Sequence, residues 1–340
     1  MPTLLLQNNY TVIQDINNSM LLIIVITALC ILGILSLTSY FAWFYPIELL
    51  THFKVQYFVA ALILTGILLI FRQKRILKSK VPILLGLVII SLNIVEILPW
   101  YLPNSQQATN QTPQIRIESF NVNVENEEYQ QSIDIVRKDN PDIALFIEIH
   151  DTWYNNLKTG LKDTFPYSFR SPGGGLAVFS RIPLEDARGV NLDEVGHHLV
   201  TNFNVNGKTI HFIGTHPMVP VKPKTFYRRN RQLAALEKYI NQQQNSVIIA
   251  GDFNLSPWSP YYRKFIKKTN LHNTRLGFGA LPSWPRPATH VRIPSWLIPL
   301  LNIPIDHCLV SKNFGVVNTY VSQHGNSDHA AIVVDLVLRS

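Results

Sequence analysis

Asp252 and Asn254 stand two apart in Gly251-Asp252-Phe253-Asn254, directly after the apolar, β-branched run 247–250. Such a run suits a strand buried on both faces, and Gly251 lets the backbone turn so that a carboxylate and an amide emerge together at its end. The carboxylate of Asp252 can orient or deprotonate a water, and the amide of Asn254 can hold a nucleophile or a phosphoryl oxygen without adding charge. The same four letters also describe a strand ending in a plain Asx turn, so the rest of the chain must decide. Glu148 closes a second apolar run, 143–147, where a carboxylate is unusual, although an exposed strand end would look the same. Asn121 and Asn123 lie two apart at the end of the alternating stretch 115–122 and share a face. His216 follows the run 209–214 and is either a donor to a phosphoryl oxygen or a satisfied loop histidine. Asp306 sits near the start of the strand-like 305–311, and Asp328-His329 precedes another such run, 330–337. No Cys or Ser is set beside a base as a nucleophile would be. Oxygen ligands without a thiolate cluster suit Mg²⁺ or Mn²⁺ better than zinc.

The elements that must position these residues follow from pattern. Strands are expected at 115–122, 143–147, 176–179, 199–205, 209–214, 247–250, 305–311 and 330–337, with 199–205 and 209–214 turning at Asn206-Gly207. Helices are expected at 127–138, with Ile133 and Val136 inward, and at 226–244, with Leu233, Leu236 and Ile240 as the inward stripe. The second helix opens with Arg228, Arg229 and Arg231, against the usual preference for acids; either an anion faces them or that face is solvated. Gly173-Gly174-Gly175 has no GK[ST] after it and leads into a strand, so it reads as a turn. The segment 281–304 holds six prolines together with Trp284 and Trp296, too Pro-rich for regular structure and too apolar for a free linker. It reads as a lid or as a surface lying on a membrane.

A hydrophobic fraction of 47% with 15% charged residues is lopsided for a wholly soluble chain, and the excess lies at the front. Apolar runs at about 20–45, 55–71 and 81–102 follow a tail at 1–19. The first and third can cross about 30 Å of hydrocarbon at about 1.5 Å per residue, and the second is at the lower limit. Three membrane helices within an anchor at 20–103 are expected, since three such runs would otherwise need a very large soluble core. The first run is too long for a cleavable signal peptide, and no Lys or Arg precedes it. The connection 72–80 carries five basic residues and 46–54 only Lys54, so 72–80 is expected on the cytoplasmic side and the chain beyond Leu102 on the other. Asn93 and Glu96 are read as reaching the interface, with a polar intramembrane site as the alternative. The uncharged stretch 104–113 reads as a tether before a catalytic domain at 114–340. Cys30 and Cys308 fall in a span and in that domain, so no internal disulfide is expected. Six basic and three acidic residues precede Asn104, which leaves +5 of the net +8 to the later part, a mild excess that suits phosphate handling without requiring nucleic acid.

The succession SFNVN, Glu148, GLAVFSR, THP, RNRQL, GDFN, IDHCLVS and SDH, in that order across roughly 115–338, resembles the endonuclease/exonuclease/phosphatase superfamily. The three spans, RNRQL and the SWP at Trp284 look most like its membrane-anchored bacterial branch. The resemblance implies an α+β four-layer sandwich of the DNase I-like kind, two packed mixed β-sheets flanked by helices, acting as a metal-dependent phosphoester hydrolase. It implies that Glu148 holds Mg²⁺ or Mn²⁺ with help from Asn121, and that Asp252 orients and deprotonates a water steadied by Asn254. His329, its ring fixed by Asp306, and His216 would bond to phosphoryl oxygens, and Asp328 would complete that metal shell or a second one. Arg228, Arg231 and Trp284 are the candidates for binding substrate. Some members carry an acid where this chain has Asn123, which makes a second tightly held metal less certain. The expected substrate is a lipid-linked phosphate or pyrophosphate, such as the polyprenyl pyrophosphate on which some anchored relatives are thought to act, reached by an extracytoplasmic domain on a multi-pass protein of the cell (inner) membrane. The alternatives are an extracytoplasmic nuclease, for which the arginines and the basic balance speak, and a non-catalytic binding module of the same fold.

Overall fold

In the computed structural model residues 2–339 are described, with side chains from residue 16 onward. Three helices come first, α1 (Pro2–Phe41), α2 (Lys54–Gln73) and α3 (Val81–Ile97), with a 3-10 turn at Ile47–Phe53 ahead of α2. Then follow β1 (Ile115–Asn121), α4 (Tyr129–Asp139), β2 (Ile143–Ile147), α5 (Asp151–Gly160), β3 (Tyr167–Arg170), β4 (Leu176–Ser180) and β5 (Glu185–Leu192). The chain continues through β6 (Gly196–Val205), β7 (Lys208–Thr215), α6 (Pro223–Ile240), β8 (Ser246–Asp252), α7 (Pro260–Thr269) and β9 (His272–Asn273). It ends with α8 (Ile298–Leu301), β10 (Asp306–Val310), β11 (Phe314–Val321) and β12 (Ile332–Leu338).

The strands form two six-stranded sheets, ordered β11-β12-β1-β2-β4-β3 and β5-β6-β7-β8-β10-β9. Both are mixed, because β1–β2 and β7–β8 run parallel while their other pairs are antiparallel. Strand alternation sends every second residue inward, so Ile115, Ile117, Leu145, Ile147, Ile248, Ala250 and Cys308 fill the space between the sheets. The opposite set faces out. Phe120, Phe146 and Phe179 are covered by Val136 of α4 and by Trp153 and Leu157 of α5, and Ile213, Ile249 and Leu309 by Leu233, Leu236 and Ile240 of α6 with Phe265 of α7. The result is four layers, helix–sheet–sheet–helix, in which each large apolar side chain taken from water contributes about 1.5–3 kcal/mol.

The eight strands that the sequence reveals are the eight interior strands. The four it does not reveal, β3, β5, β9 and β11, are the four sheet edges. No residue of β3 or β5 is buried and neither carries an apolar run; β5 and β11 contain bulges, and β9 has only two residues. Helix α5, DTWYNNLKTG, is also unannounced, since Asn, Thr and Gly are weak helix formers and only Trp153 and Leu157 mark its buried side.

Helices at Ile16–Phe41, Ile47–Gln73 and Val81–Trp100 are long and apolar enough to cross a membrane. The second is longer than its apolar run because the Ile47–Phe53 turn leads directly into α2. Asn93 does not reach an interface: it is fully buried and donates to Ser36 Oγ at 2.9 Å and to the Ile89 carbonyl at 2.8 Å. Glu96 is likewise paired, with Lys54 at 3.1 Å and Arg263 of α7 at 3.2 Å. Nor is 104–113 a free tether, for Asn104 donates to the Leu276 carbonyl and the Ala108 amide to Val316. The span–sandwich contact Glu96–Arg263 lies beside Lys54, the first residue of α2, and the basic connection after Gln73 lies at the other end, about 30 Å away along the helix.

Candidate active site

Strand parity explains why distant residues meet. Ile117, Ile210, Ile248 and Cys308 point inward, and counting in twos along their strands reaches Asn121, His216, Asp252 and Asp306. Each lies past the last apolar layer, at one rim between the sheets. Glu148 has the opposite parity, one beyond the inward Ile147; its left-handed backbone, φ 63°, leaves the strand path, and its carboxylate accepts from Asn121 Nδ2 at 2.9 Å. A left-handed glutamate costs about 1–3 kcal/mol, the kind of strain retained where a side chain must be aimed. Asn254, φ 52°, is turned in the same way.

The tips converge. Asn121 Nδ2 is 3.3 Å from Asp252 Oδ2, and His216 Nε2 lies 3.7 Å from Glu148 Oε1 and 3.6 Å from Asp252 Oδ2. His329 Nε2 approaches Asp252 Oδ2 from the other side at 3.7 Å, while its Nδ1 is 2.9 Å from Asp306 Oδ2. Asp306 in turn accepts from Ser283 Oγ at 2.6 Å and is the cross-strand partner of Asp252. Asn254 binds back into the loop after His216, donating to the Pro217 carbonyl at 3.0 Å, and its own amide caps Asp252 Oδ1 at 2.8 Å.

Over this cluster lies a cavity of about 330 Å³. Glu148, Asp252, Asn254, Asp328 and His329 form its polar part; Val219, Val221, Ile303 and Ile305 form apolar walls, together with Leu49 and Phe53 from the turn ahead of α2.

The description of the Endonuclease/Exonuclease/phosphatase family matches residues 119–329, more than half of the chain and the stretch that supplies all of these polar tips. The chain belongs to that family. Among solved structures it is similar to TDP2 of D. rerio complexed with a single-strand DNA product (TM-score 0.54, 14% identity, 66% of this chain and 98% of that one). It is also similar to an endonuclease/exonuclease/phosphatase from Beutenbergia cavernae (0.52, 20%, 67% and 72%) and to a sphingomyelinase C from Streptomyces griseocarneus (0.50, 15%, 66% and 99%). At these identities the likeness is one of fold. No curated protein matches the sequence.

The family fold generally works with a divalent cation, and the donor set of this chain suits one. Donor atoms of Glu148, His216 and Asp252 lie within 4.8 Å of one another, as do those of Asp252, Asp306 and His329. Burial pushes Asp252 above the usual carboxylate range, and the Asp306 carboxylate adds to the effect. Burial alone would lower His329, but the charges of Asp306 and Asp252 hold it well above an ordinary histidine. Burial lowers His216, whose Nε2 has no hydrogen-bond partner among the described residues. Crowded carboxylates facing an unpartnered imidazole nitrogen form the setting that a hard cation relieves.

Not every expected residue arrives. Arg228 and Arg231 are exposed on α6 and line no part of the cavity; Arg228 donates to the Val195 carbonyl. The anion awaited by that arginine cluster is Glu48 of the anchor, and the arginine that meets it is the fully buried Arg229, at 3.2 Å. Asp328 reaches the rim, but its oxygens accept from Asn123 Nδ2 at 2.6 Å and Trp284 Nε1 at 2.8 Å, so it fixes the tryptophan and belongs to neither donor cluster. Trp284 lines the cavity, its ring 6.3 Å from that of His329. Ser283 escaped the sequence reading because a serine in a Pro-rich stretch carries no pattern. Leu49, His52 and Phe53 escaped because nothing in the sequence ties the anchor to the site.

Proposed function

We propose that this chain is a membrane-held, divalent-cation-dependent phosphoester hydrolase whose substrate is a phosphate or diphosphate carried on a lipid. The make-up of the cavity carries this reading: the carboxylates of Glu148, Asp252 and Asp328 with the His329 imidazole, and apolar walls that include Leu49 and Phe53 of the anchor. A group attached to a phosphate seated on the polar end runs along those walls. An apolar chain gains about 25 cal/mol per Å² there, whereas the polar edges of a nucleotide would lose their partners. With Arg228 and Arg231 outside the cavity, the nuclease reading loses the side chains that favoured it.

Glu148, with Asn121 beside it, would hold Mg²⁺ or Mn²⁺, which when bound neutralises charge on the phosphoryl group. Asp252 takes a proton from the attacking water as the water oxygen bonds to phosphorus, and Asn254 steadies that water. His329 donates from Nε2 to a phosphoryl oxygen while Asp306, held by Ser283, fixes the ring through Nδ1. The unpartnered His216 Nε2 serves a second oxygen. The P–O bond to the leaving group breaks as the new one forms, and the leaving oxygen takes up, through solvent, the proton that Asp252 accepted. The basic connection at the far end of α2 supports, by the charge rule for membrane loops, a catalytic domain outside the cytoplasm, where lipid-linked phosphates are within reach.

The test is phosphate release from lipid phosphates and diphosphates by the full chain in detergent with Mg²⁺. We expect release that EDTA stops and Mg²⁺ restores. Efficient degradation of DNA with no release from any lipid phosphate would sink the reading.

A further inference from the structure

We propose that the turn Ile47–Phe53, between α1 and α2, is a positioning element of the catalytic loop, so that the membrane anchor is part of the hydrolase. This rests on the hydrolase reading given above. The loop concerned is 254–259, the segment that begins with Asn254 and is buried along its whole length. Three polar side chains of the turn are buried with it, Glu48, Thr51 and His52, and two of these reach the loop.

His52 holds its middle. The backbone amide of Ser256 donates to His52 Nδ1 at 3.2 Å, and Ser256 Oγ lies 2.9 Å from the same nitrogen. A backbone N–H can only donate, so Nδ1 is the unprotonated nitrogen and the ring proton sits on Nε2. Nε2 faces Glu48 Oε2 at 3.8 Å. Glu48 holds both ends: its Oε1 accepts from Ser259 Oγ at 2.5 Å, and its Oε2 pairs with Arg229, whose Nη1 donates to the Asn254 carbonyl at 3.0 Å. Glu48 and Arg229 are both fully buried, so each charge depends on the other. The loop is thereby fixed at residues 254, 256 and 259 by one short turn of the anchor. Asn254 turns the chain through the left-handed region, and these contacts fix the loop that leaves it.

The experiment uses the full chain in detergent with Mg²⁺ and a soluble substrate without an apolar chain, bis(p-nitrophenyl) phosphate, so that loss of the lipid wall is not what is read. We expect His52→Ala to lower kcat roughly ten- to hundredfold with KM little changed, the scale of a small misplacement of reacting groups. His52→Asn, whose Oδ1 can accept the Ser256 amide in place of Nδ1, restores most of kcat. Gln56→Ala, which removes a different anchor–domain bond, to the Asn302 carbonyl, leaves kcat within about twofold. If Glu48→Gln fails to fold, the double variant Glu48→Met/Arg229→Met removes both charges, folds, and still has low kcat because the Asn254 carbonyl has lost its donor. Hydrogen exchange at 254–259 gives a readout apart from turnover and should quicken in His52→Ala. Wild-type kcat in both His52→Ala and the double variant, unchanged exchange at 254–259, or an equal loss in Gln56→Ala would each overturn the proposal. A wild-type chain that cleaves no phosphoester, while exchange at 254–259 still responds to His52→Ala, would overturn the hydrolase reading and leave the clamp standing.

Discussion

Asp252 is held by its neighbours in a state unlike that of a free aspartate. It is buried, its Oδ1 accepts the Asn254 amide, and its Oδ2 stands among Asn121, His216 and His329. Burial makes the Asp252 charge costly to the fold and the nearby His329 offsets part of that cost, so Asp252→Ala should cut turnover about 10²- to 10⁴-fold while leaving the chain folded. Phosphate-release assays and circular dichroism on the same preparation check both halves. Glu118 is the contrasting acid: fully buried under α4, it finds no hydrogen-bond partner for either oxygen among the described residues, and burial with the nearby Asp139 raises it well above the carboxylate range. The sign of its pH effect follows directly. Above the ordinary carboxylate range the unfolded chain ionises Glu118 while the folded chain keeps it protonated, so the unfolded state binds fewer protons and stability falls as pH rises toward the folded value. Glu118→Leu should therefore stabilise the protein by about 1–3 kcal/mol near pH 7.5 and by less near pH 4.5. Denaturant unfolding at the two pH values checks this, and a gain that did not grow with pH would refute it.

At the scale of elements, the site is an outcome of strands ending in register, and β8 shows how little latitude that leaves. Gly251 has φ 153°, and a Cβ built there would stand 1.9 Å from the Thr215 carbonyl oxygen of the parallel neighbour β7. Backbone cannot step aside as a flexible side chain can. Gly251→Ala should destabilise by about 2–4 kcal/mol, seen as a lower denaturant midpoint at unchanged slope, and should separate Asp252 from His216 with loss of turnover. Such constraints make much of the site legible in sequence. An apolar run of alternating parity that ends in Asn121 or Asp252, or begins at Asp306, states both where the side chain is and which way it points, and the interior strands announce themselves by the same apolar runs. Legibility stops where burial is one-sided or supplied from afar. Edge strands β3 and β5 carry no run, Glu148 lies in the site only because its backbone leaves the strand, and Ser283 reaches Asp306 from a Pro-rich stretch without period. The arginines of α6 were visible as an anomaly, yet sequence could not tell that Arg229 turns inward to an anchor carboxylate while Arg228 and Arg231 face solvent.

For the whole molecule, the question is whether the spans merely hold the sandwich at a membrane or share its work. The cavity joins polar tips of both sheets to Leu49 and Phe53, so the lipid substrate proposed above would share one apolar surface with the anchor. If the chain of a lipid phosphate lies there, shortening the wall weakens its binding without touching the groups that act on phosphorus. Truncating a large apolar side chain removes about 1.5–3 kcal/mol of burial, which corresponds to roughly a ten- to hundredfold change in affinity. Phe53→Ala should therefore raise KM for a lipid diphosphate about tenfold, and the preference for that substrate over bis(p-nitrophenyl) phosphate, taken as the ratio of kcat/KM values, should fall by the same factor. A loss equal on both substrates would mean that Phe53 supports the catalytic loop rather than the chain. No change on either would mean that the substrate leaves the cavity by another side, along Val219 and the exposed Val221, and that the spans hold the enzyme near its lipid without helping to recognise it.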